Sequence, residues 1–184
     1  MIGESWAFSR EAIAAGDLWR LAGANAAHLS WPHLASNLAV FAAAVALLRE
    51  VVRPVELLGT LALCAIGSTT GIYLGTSLDW YVGASGALYG LLAWGASRLP
   101  MPRGLWLLLL LMVNVALDQG RSASWLSEPL APQSHYWGLA CGLALAIASA
   151  WRTTASEPAW AASAARPAPP AASPPSMAPR ISAT

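Results

Sequence analysis

The sequence predicts an all-α membrane protein, a bundle of five transmembrane helices. Of its 184 residues, 57% are hydrophobic and 10% are charged, whereas a soluble domain carries about 25% charged residues. The apolar residues are concentrated in five runs, at roughly 33–48, 55–75, 85–97, 104–117 and 135–151. We expect helices because backbone groups in lipid must be satisfied within their own segment. Only the second run reaches the roughly 20 residues of a full crossing, so the others use interfacial Trp and Gly residues.

Three regions follow one another along the chain. Residues 1–32 are predicted to form a segment and loop on the outer face, and residues 33–151 contain the five helices. Residues 152–184 are mostly Ala, Pro and Ser, a composition that cannot bury a core, so we expect a disordered tail. The first 16 residues contain Glu4, Arg10 and Glu11 and lack the apolar run of a signal peptide.

Arginine placement predicts the orientation of the helices. Five arginines follow the first, third and fifth runs, namely Arg49, Arg53, Arg98, Arg103 and Arg152. The loops on the opposite side contain one arginine, Arg121. Because positive charge favours the cytoplasmic side, these three runs descend from the outer to the inner face. We therefore expect a multi-pass protein of a bacterial inner membrane, with its C-terminal tail in the cytoplasm.

Composition also argues against several classes of function. Ten basic residues face nine acidic ones, for a net charge of +1, and nucleic-acid binding would need a clustered basic face. The two cysteines, Cys64 and Cys141, both lie in apolar runs. They indicate neither a disulfide framework nor a metal site, and we expect no cofactor.

Four polar residues in the descending helices fall at one depth. Counted upward from the inner-face arginines at about 1.5 Å per residue, all four lie roughly 18–26 Å above the inner boundary. They are His33, Asn37, Ser85 and His135. Polar residues inside a span are costly and are functional candidates by default.

The chemistry that these residues could perform is acyl transfer. Ser85 lies in the motif Gly83-Ala84-Ser85-Gly86, where a glycine-rich loop meets a helix N-terminus that favours developing negative charge. A serine becomes a good nucleophile when an imidazole accepts its proton, and His135 is the candidate base. His33 and Asn37 share one helix face and can donate to an oxyanion. Because no acid lies beside His135 in sequence, we expect a Ser–His dyad rather than a triad.

Small residues predict how the helices approach one another. Gly86 and Gly90 are four residues apart, as are Gly138 and Gly142, and such pairs let membrane helices pack closely. This packing would bring Ser85 and His135 together. Tyr89, one turn below Ser85, would face the same seam and stack on the imidazole.

Each feature also has an ordinary structural explanation. A serine in a membrane helix usually serves packing, and a histidine at a helix end is often an interfacial residue. His33 and Asn37 could hydrogen-bond a loop, and His28 is interpreted as structural. It is the occurrence of all four residues at a common depth that favours catalysis.

These residues resemble the rhomboid intramembrane serine proteases from about Asp17 to Trp151. Trp19-Arg20 is similar to the family's Trp-Arg motif, and His33 with Asn37 matches its His-x-x-x-Asn. The nucleophile motif around Ser85, followed by Tyr89, and the His-x-x-Gly-x-x-x-Gly that begins at His135 also match. The resemblance implies Ser85 as nucleophile and His135 as base, with His33, Asn37 and the Ser85 N–H as oxyanion donors. Gly83, Gly86, Tyr89 and Gly138 would support them.

The same resemblance carries implications for fold and substrate. It implies that residues 33–151 are a rhomboid-like protease domain that lacks the first of six family helices. Trp31-Pro32-His33-Leu34 and the stretch at 79–83 are similar to rhombosortases, a bacterial subfamily associated with Gly-Gly-type C-terminal sorting anchors of exported proteins. The implied partners are membrane-anchored substrates and the lipid bilayer.

Two further functions stay open at this level. One is an inactive rhomboid-like protein that binds membrane helices without cutting them, although both Ser85 and His135 are intact. The other is a small transporter that uses His33 and His135 as a proton relay. It would need an acidic partner within the bilayer, and none is evident, because Asp118 lies at a helix end.

Overall fold

The computed structural model describes residues 1–118 and 131–156, with side chains described as far as Arg152. Within these ranges the chain forms a 3-10 turn at Glu4–Trp6, two short strands and seven α-helices. The strands are β1 (Phe8–Ser9) and β2 (Trp80–Tyr81). The helices are α1 (Arg10–Ala14), α2 (Arg20–Gly23), α3 (Trp31–Leu48), α4 (Pro54–Gly75), α5 (Ser85–Ala96), α6 (Arg103–Asp118) and α7 (Pro132–Ser156).

The five long helices, α3 to α7, coincide with the five apolar runs of the sequence, so the expected all-α membrane fold is confirmed. Two of the described helices, α3 and α4, are each long and apolar enough to cross a membrane, with mean hydropathies of 1.5 and 1.6. Their outward faces carry exposed apolar side chains such as Leu38, Leu63 and Leu74, as expected where a helix faces lipid.

Residues 1–150 form one compact unit, and residues 151–184 are assigned to a second. The predicted disordered tail lies outside the described residues from position 157 onward. The loop at 119–130, with its single arginine, also lies outside them.

Local chemistry explains where the helices begin. The backbone N–H of His33 donates to the Ser30 side chain, which caps α3, and Pro32 occupies the first turn, where no N–H is needed. Helix α4 likewise begins at Pro54.

An arginine from the N-terminal segment closes the other end of α4. The Arg10 guanidinium donates to the backbone oxygens of Tyr73 and Thr76, both at 2.7 Å, and of Ile72 at 3.2 Å. These oxygens lie in the last turn of α4 and at its C-cap, where a helix leaves carbonyls without intrahelical partners. The N-terminal segment is therefore bound to the helical bundle.

The all-α prediction did not include a small antiparallel sheet. β1 pairs with β2, with Phe8 opposite Tyr81 and Ser9 opposite Trp80. Phe8, Ile13, Ile72 and Tyr81 are buried in one apolar cluster. The pairing joins the N-terminal segment to the loop that leads into α5.

Helix α5 lies at the centre of the bundle. Nine of its residues are buried, and it packs against α3, α4 and α6. Leu91 and Trp94 belong to a core cluster with Ala44, Leu48 and Leu57 from α3 and α4. Ser85, the first residue of this central helix, is therefore held by a rigid element.

Candidate active site

The loop before α5 is shaped around Gly83. Its φ of +123° lies in a region that L side chains rarely adopt. A Cβ there would also meet the His33 ring at 2.8 Å. The Gly83 N–H donates to the Ala24 oxygen at 2.9 Å, and the Tyr81 hydroxyl donates to the Gly83 oxygen at 2.5 Å. This loop presents Ser85 at the N-terminus of α5.

Burial shifts the pKa of two side chains next to this loop, both of which lie outside the long helices. Burial raises the pKa of the Tyr81 phenol, so the hydroxyl keeps the proton that it donates to Gly83. Burial lowers the pKa of the His28 imidazole. The neutral His28 ring lies edge-on to His33, with ring centroids 5.2 Å apart.

The first turn of α7 brings His135 to Ser85. The His135 Nε2 lies 3.0 Å from the Ser85 Oγ, which is hydrogen-bonding distance for a nucleophile and its general base. The side chain of His135 is 10% exposed. The structure thus brings together the two residues that the sequence singled out.

Glycines on both helices make this approach possible. A Cβ on Gly138 would lie 1.9 Å from the Gly86 oxygen, and a Cβ on Gly142 would lie 2.0 Å from the Gly90 oxygen. Neither position has room for any side chain. We call this contact of Gly86 and Gly90 with Gly138 and Gly142 the glycine seam.

Tyr89 and α6 hold the other side of the imidazole. The Tyr89 ring stacks on His135, with centroids 4.4 Å apart and an interplanar angle of 14°. Its hydroxyl donates to the Asn114 side-chain oxygen. The expected stacking of Tyr89 on the imidazole is therefore present.

A carboxylate lies beside the second imidazole nitrogen, and it belongs to the residue that the sequence reasoning set aside because it lies at a helix end. Asp118, the last residue of α6, places its Oδ2 2.6 Å from the His135 Nδ1. Asp118 lies 15 residues after Arg103, or about 22 Å along a helix, inside the depth range of the other four residues. The same depth count applied to the ascending helix would have found it. The expectation that no acid accompanies His135 was wrong.

His33 and Asn37 lie on the α3 face that borders this site, and both are buried. The Asn37 Nδ2 donates to the His33 backbone oxygen at 3.2 Å. The His33 ring packs against the Gly83 loop, as the close approach to Gly83 shows.

Two cavities meet at Ser85. The first, of about 240 Å³, is lined by His33, Ser85, Gln133 and His135 together with residues of β2. The second, also of about 240 Å³, lies between α3, α5 and α6 and is lined by Asn37, Ser85, Tyr89 and Asn114. The two predicted oxyanion donors therefore border different cavities. Each cavity gives access to the serine.

The described residues contain no group of three His, Cys, Asp or Glu side chains that could hold a metal ion. Cys64 and Cys141 are free thiols. The arrangement around Ser85 is instead a hydroxyl, an imidazole and a carboxylate in series, a geometry suited to acyl transfer.

Comparison with known protein families gives a match that covers most of the chain. Residues 15–152 match the family model described as Rhomboid domain. This range covers more than half of the chain, which therefore belongs to the rhomboid family. The protein is accordingly an integral membrane protein, and members of the family are generally serine intramembrane proteases. A comparison with curated proteins gives no match.

Proposed function

We propose that this protein is an intramembrane serine endopeptidase, with Ser85 as nucleophile and His135 as general base. The observation that carries the proposal is the 3.0 Å approach of the His135 Nε2 to the Ser85 Oγ in a rhomboid-family chain. The buried position of this pair supports it, because placing polar side chains inside a membrane bundle costs free energy, and such residues are by default functional candidates.

The proposed reaction proceeds in two halves. The Ser85 Oγ attacks the scissile carbonyl carbon while its proton passes to the His135 Nε2. The same nitrogen then returns the proton to the leaving amine as the C–N bond breaks. A water molecule, deprotonated by His135, releases the acyl group and restores Ser85.

The oxyanion would form beside the N-terminus of α5. The Ser85 N–H points out of this helix end, where unsatisfied donors favour negative charge. His33 and Asn37 are the side chains that we assign as further donors. Both are buried next to the serine, so water competes little for them.

We propose that the substrates are membrane-anchored proteins cut near the outer leaflet. The rhombosortase-like stretches at 31–34 and 79–83 favour C-terminal sorting anchors of the Gly-Gly type. The arginine distribution favours a bacterial inner membrane with the C-terminus in the cytoplasm. The two cavities that Ser85 lines hold about 240 Å³ each, less than one turn of a helix about 10–12 Å across would fill, which favours an extended peptide.

The proposal is tested by labelling the membrane-embedded protein with a fluorophosphonate probe. We expect labelling of the wild type and none of Ser85→Ala or His135→Ala. Ser97→Ala is the matched control, since Ser97 is an exposed residue beyond the opposite end of α5 and its hydroxyl donates only to the Trp94 oxygen. Labelling of Ser85→Ala at the wild-type rate would refute the nucleophile. If the folded wild type were not labelled at all, the result would favour a non-catalytic, helix-binding member of the family.

A further inference from the structure

We propose that Asp118 is the positioning residue for His135, so that this protein works with a Ser–His–Asp series and not with a dyad. The inference rests on the proposed function and deepens it. Its basis is the contact between the Asp118 Oδ2 and the His135 Nδ1 at 2.6 Å, within a site where the two side chains are 16% and 10% exposed.

The contact determines which imidazole nitrogen carries the proton. An ionised carboxylate only accepts hydrogen bonds. With Asp118 ionised, Nδ1 must therefore be the protonated nitrogen and Nε2 must carry the free lone pair. That lone pair is the one that faces the Ser85 Oγ at 3.0 Å. The carboxylate thus selects the tautomer that can accept the serine proton.

The orientation of the ring is fixed from three directions. Asp118 holds Nδ1, Ser85 holds Nε2, and the Tyr89 ring covers one face at 4.4 Å. Two of these contacts depend on α6, because Asn114, one helical turn before Asp118, binds the Tyr89 hydroxyl. Side chains four residues apart lie on one helix face, so this face of α6 reaches the imidazole directly and through Tyr89.

The placement of Asp118 is costly without such a role. It ends a helix in which ten of the 16 residues are Leu, Val or Met, and a carboxylate at such a position is unfavourable unless it is paired. The described partner of its carboxylate is His135.

The carboxylate would also act during the reaction. When His135 takes the serine proton it becomes an imidazolium, and the adjacent negative charge stabilises this cation. In the proposed step the Nδ1 proton stays on the imidazole, and the carboxylate only accepts the hydrogen bond. Its contribution is therefore orientation and charge stabilisation, exerted through His135.

The test compares Asp118→Asn and Asp118→Glu in the full chain. We expect Asp118→Asn to lower the rate of fluorophosphonate labelling and kcat by about 10²–10⁴-fold, with KM nearly unchanged. Asp118→Glu should restore part of the rate, because the carboxylate is kept. Glu50→Gln is the matched control, since its carboxylate is 78% exposed and lies 3.0 Å from Arg49, and we expect wild-type labelling from it.

A second measurement does not depend on activity. Nitrogen NMR of the imidazole should show the Nδ1–H tautomer and a strongly deshielded N–H proton in the wild type, both lost in Asp118→Asn. Wild-type labelling by Asp118→Asn, or an Nε2–H tautomer in the wild type, would overturn the inference. If Ser85→Ala retains full activity while the Nδ1–H signal is present, the proposed function fails and the contact stands.

Discussion

Helices α6 and α7 both border Ser85 at the start of α5, and they contact this site in different ways. Helix α7 packs against α5 through glycines, which have no side chains, so the two backbones touch directly along the glycine seam. Helix α6 has only two buried residues within its 16, Gly104 and Leu111. It reaches the site through the side chains of Asn114 and Asp118.

This difference separates two tasks. Backbone contact sets the distance between the Ser85 Oγ and the His135 Nε2, because neither helix can approach or withdraw without breaking close packing. Side-chain contact sets the tautomer and rotation of the imidazole. Changes in the glycine seam should therefore impair stability and activity together, whereas changes on the α6 side should impair mainly reactivity.

Among the variants that separate these two tasks, the largest combined loss of stability and rate is expected from Gly138→Ala. Its new methyl group would meet the Gly86 oxygen at 1.9 Å, which forces α7 away from α5. A displacement of about 1 Å at reacting groups costs roughly 10²-fold in rate, and overpacking costs about 1–3 kcal/mol of stability. Thermal unfolding in detergent and the labelling rate would measure both losses.

The matched control for this substitution is Gly59→Ala on α4. A Cβ at Gly59 meets nothing within 4 Å, and alanine in a helix interior is more stable than glycine by roughly 0.5–1 kcal/mol. We expect unchanged labelling and equal or higher stability. If Gly138→Ala behaved like Gly59→Ala, the seam would not set the distance between nucleophile and base.

The contribution of α6 to holding the imidazole can be tested at Tyr89. Tyr89→Leu removes the ring that stacks on His135, an interaction worth about 0.5–1.5 kcal/mol. Because 1.4 kcal/mol is tenfold, we expect the labelling rate to fall about two- to tenfold. Tyr89→Phe keeps the ring and loses only the bond to Asn114, so its rate should fall less. Equal losses in both variants would mean that the hydroxyl, and not the stacking, holds the imidazole.

The sequence predicted the glycine seam and the pair Ser85–His135 because these features have local signatures. Glycines four residues apart mark close helix contact, and hydropathy with arginine placement gives each residue a depth. Residues at one depth on adjacent helices can meet, and this reasoning brought Ser85 and His135 together correctly.

The contacts that the sequence did not predict join distant segments through single side chains. Asp118 meets His135 across 17 positions, and Arg10 meets the end of α4 from more than 60 positions away. A depth count gives Asp118 the level of His135, but spacing alone predicts neither contact, because each depends on how two chain segments are placed in three dimensions. The pairing of β1 with β2 was not predicted either, because each strand has only two residues and leaves no pattern in the sequence.

The smallest effect is expected from Tyr81→Phe, which leaves both helix contacts intact. This change removes the hydrogen bond from the Tyr81 hydroxyl to the Gly83 oxygen at 2.5 Å, and a bond of this kind contributes about 0.5–1.5 kcal/mol. The melting temperature should fall slightly and the labelling rate a few-fold, since the loop presents Ser85. Tyr73→Phe is the control, because its ring contacts to Phe8 and Arg10 survive the loss of the hydroxyl. A loss from Tyr81→Phe as large as that from Gly138→Ala would place control of the nucleophile in the loop rather than in the seam.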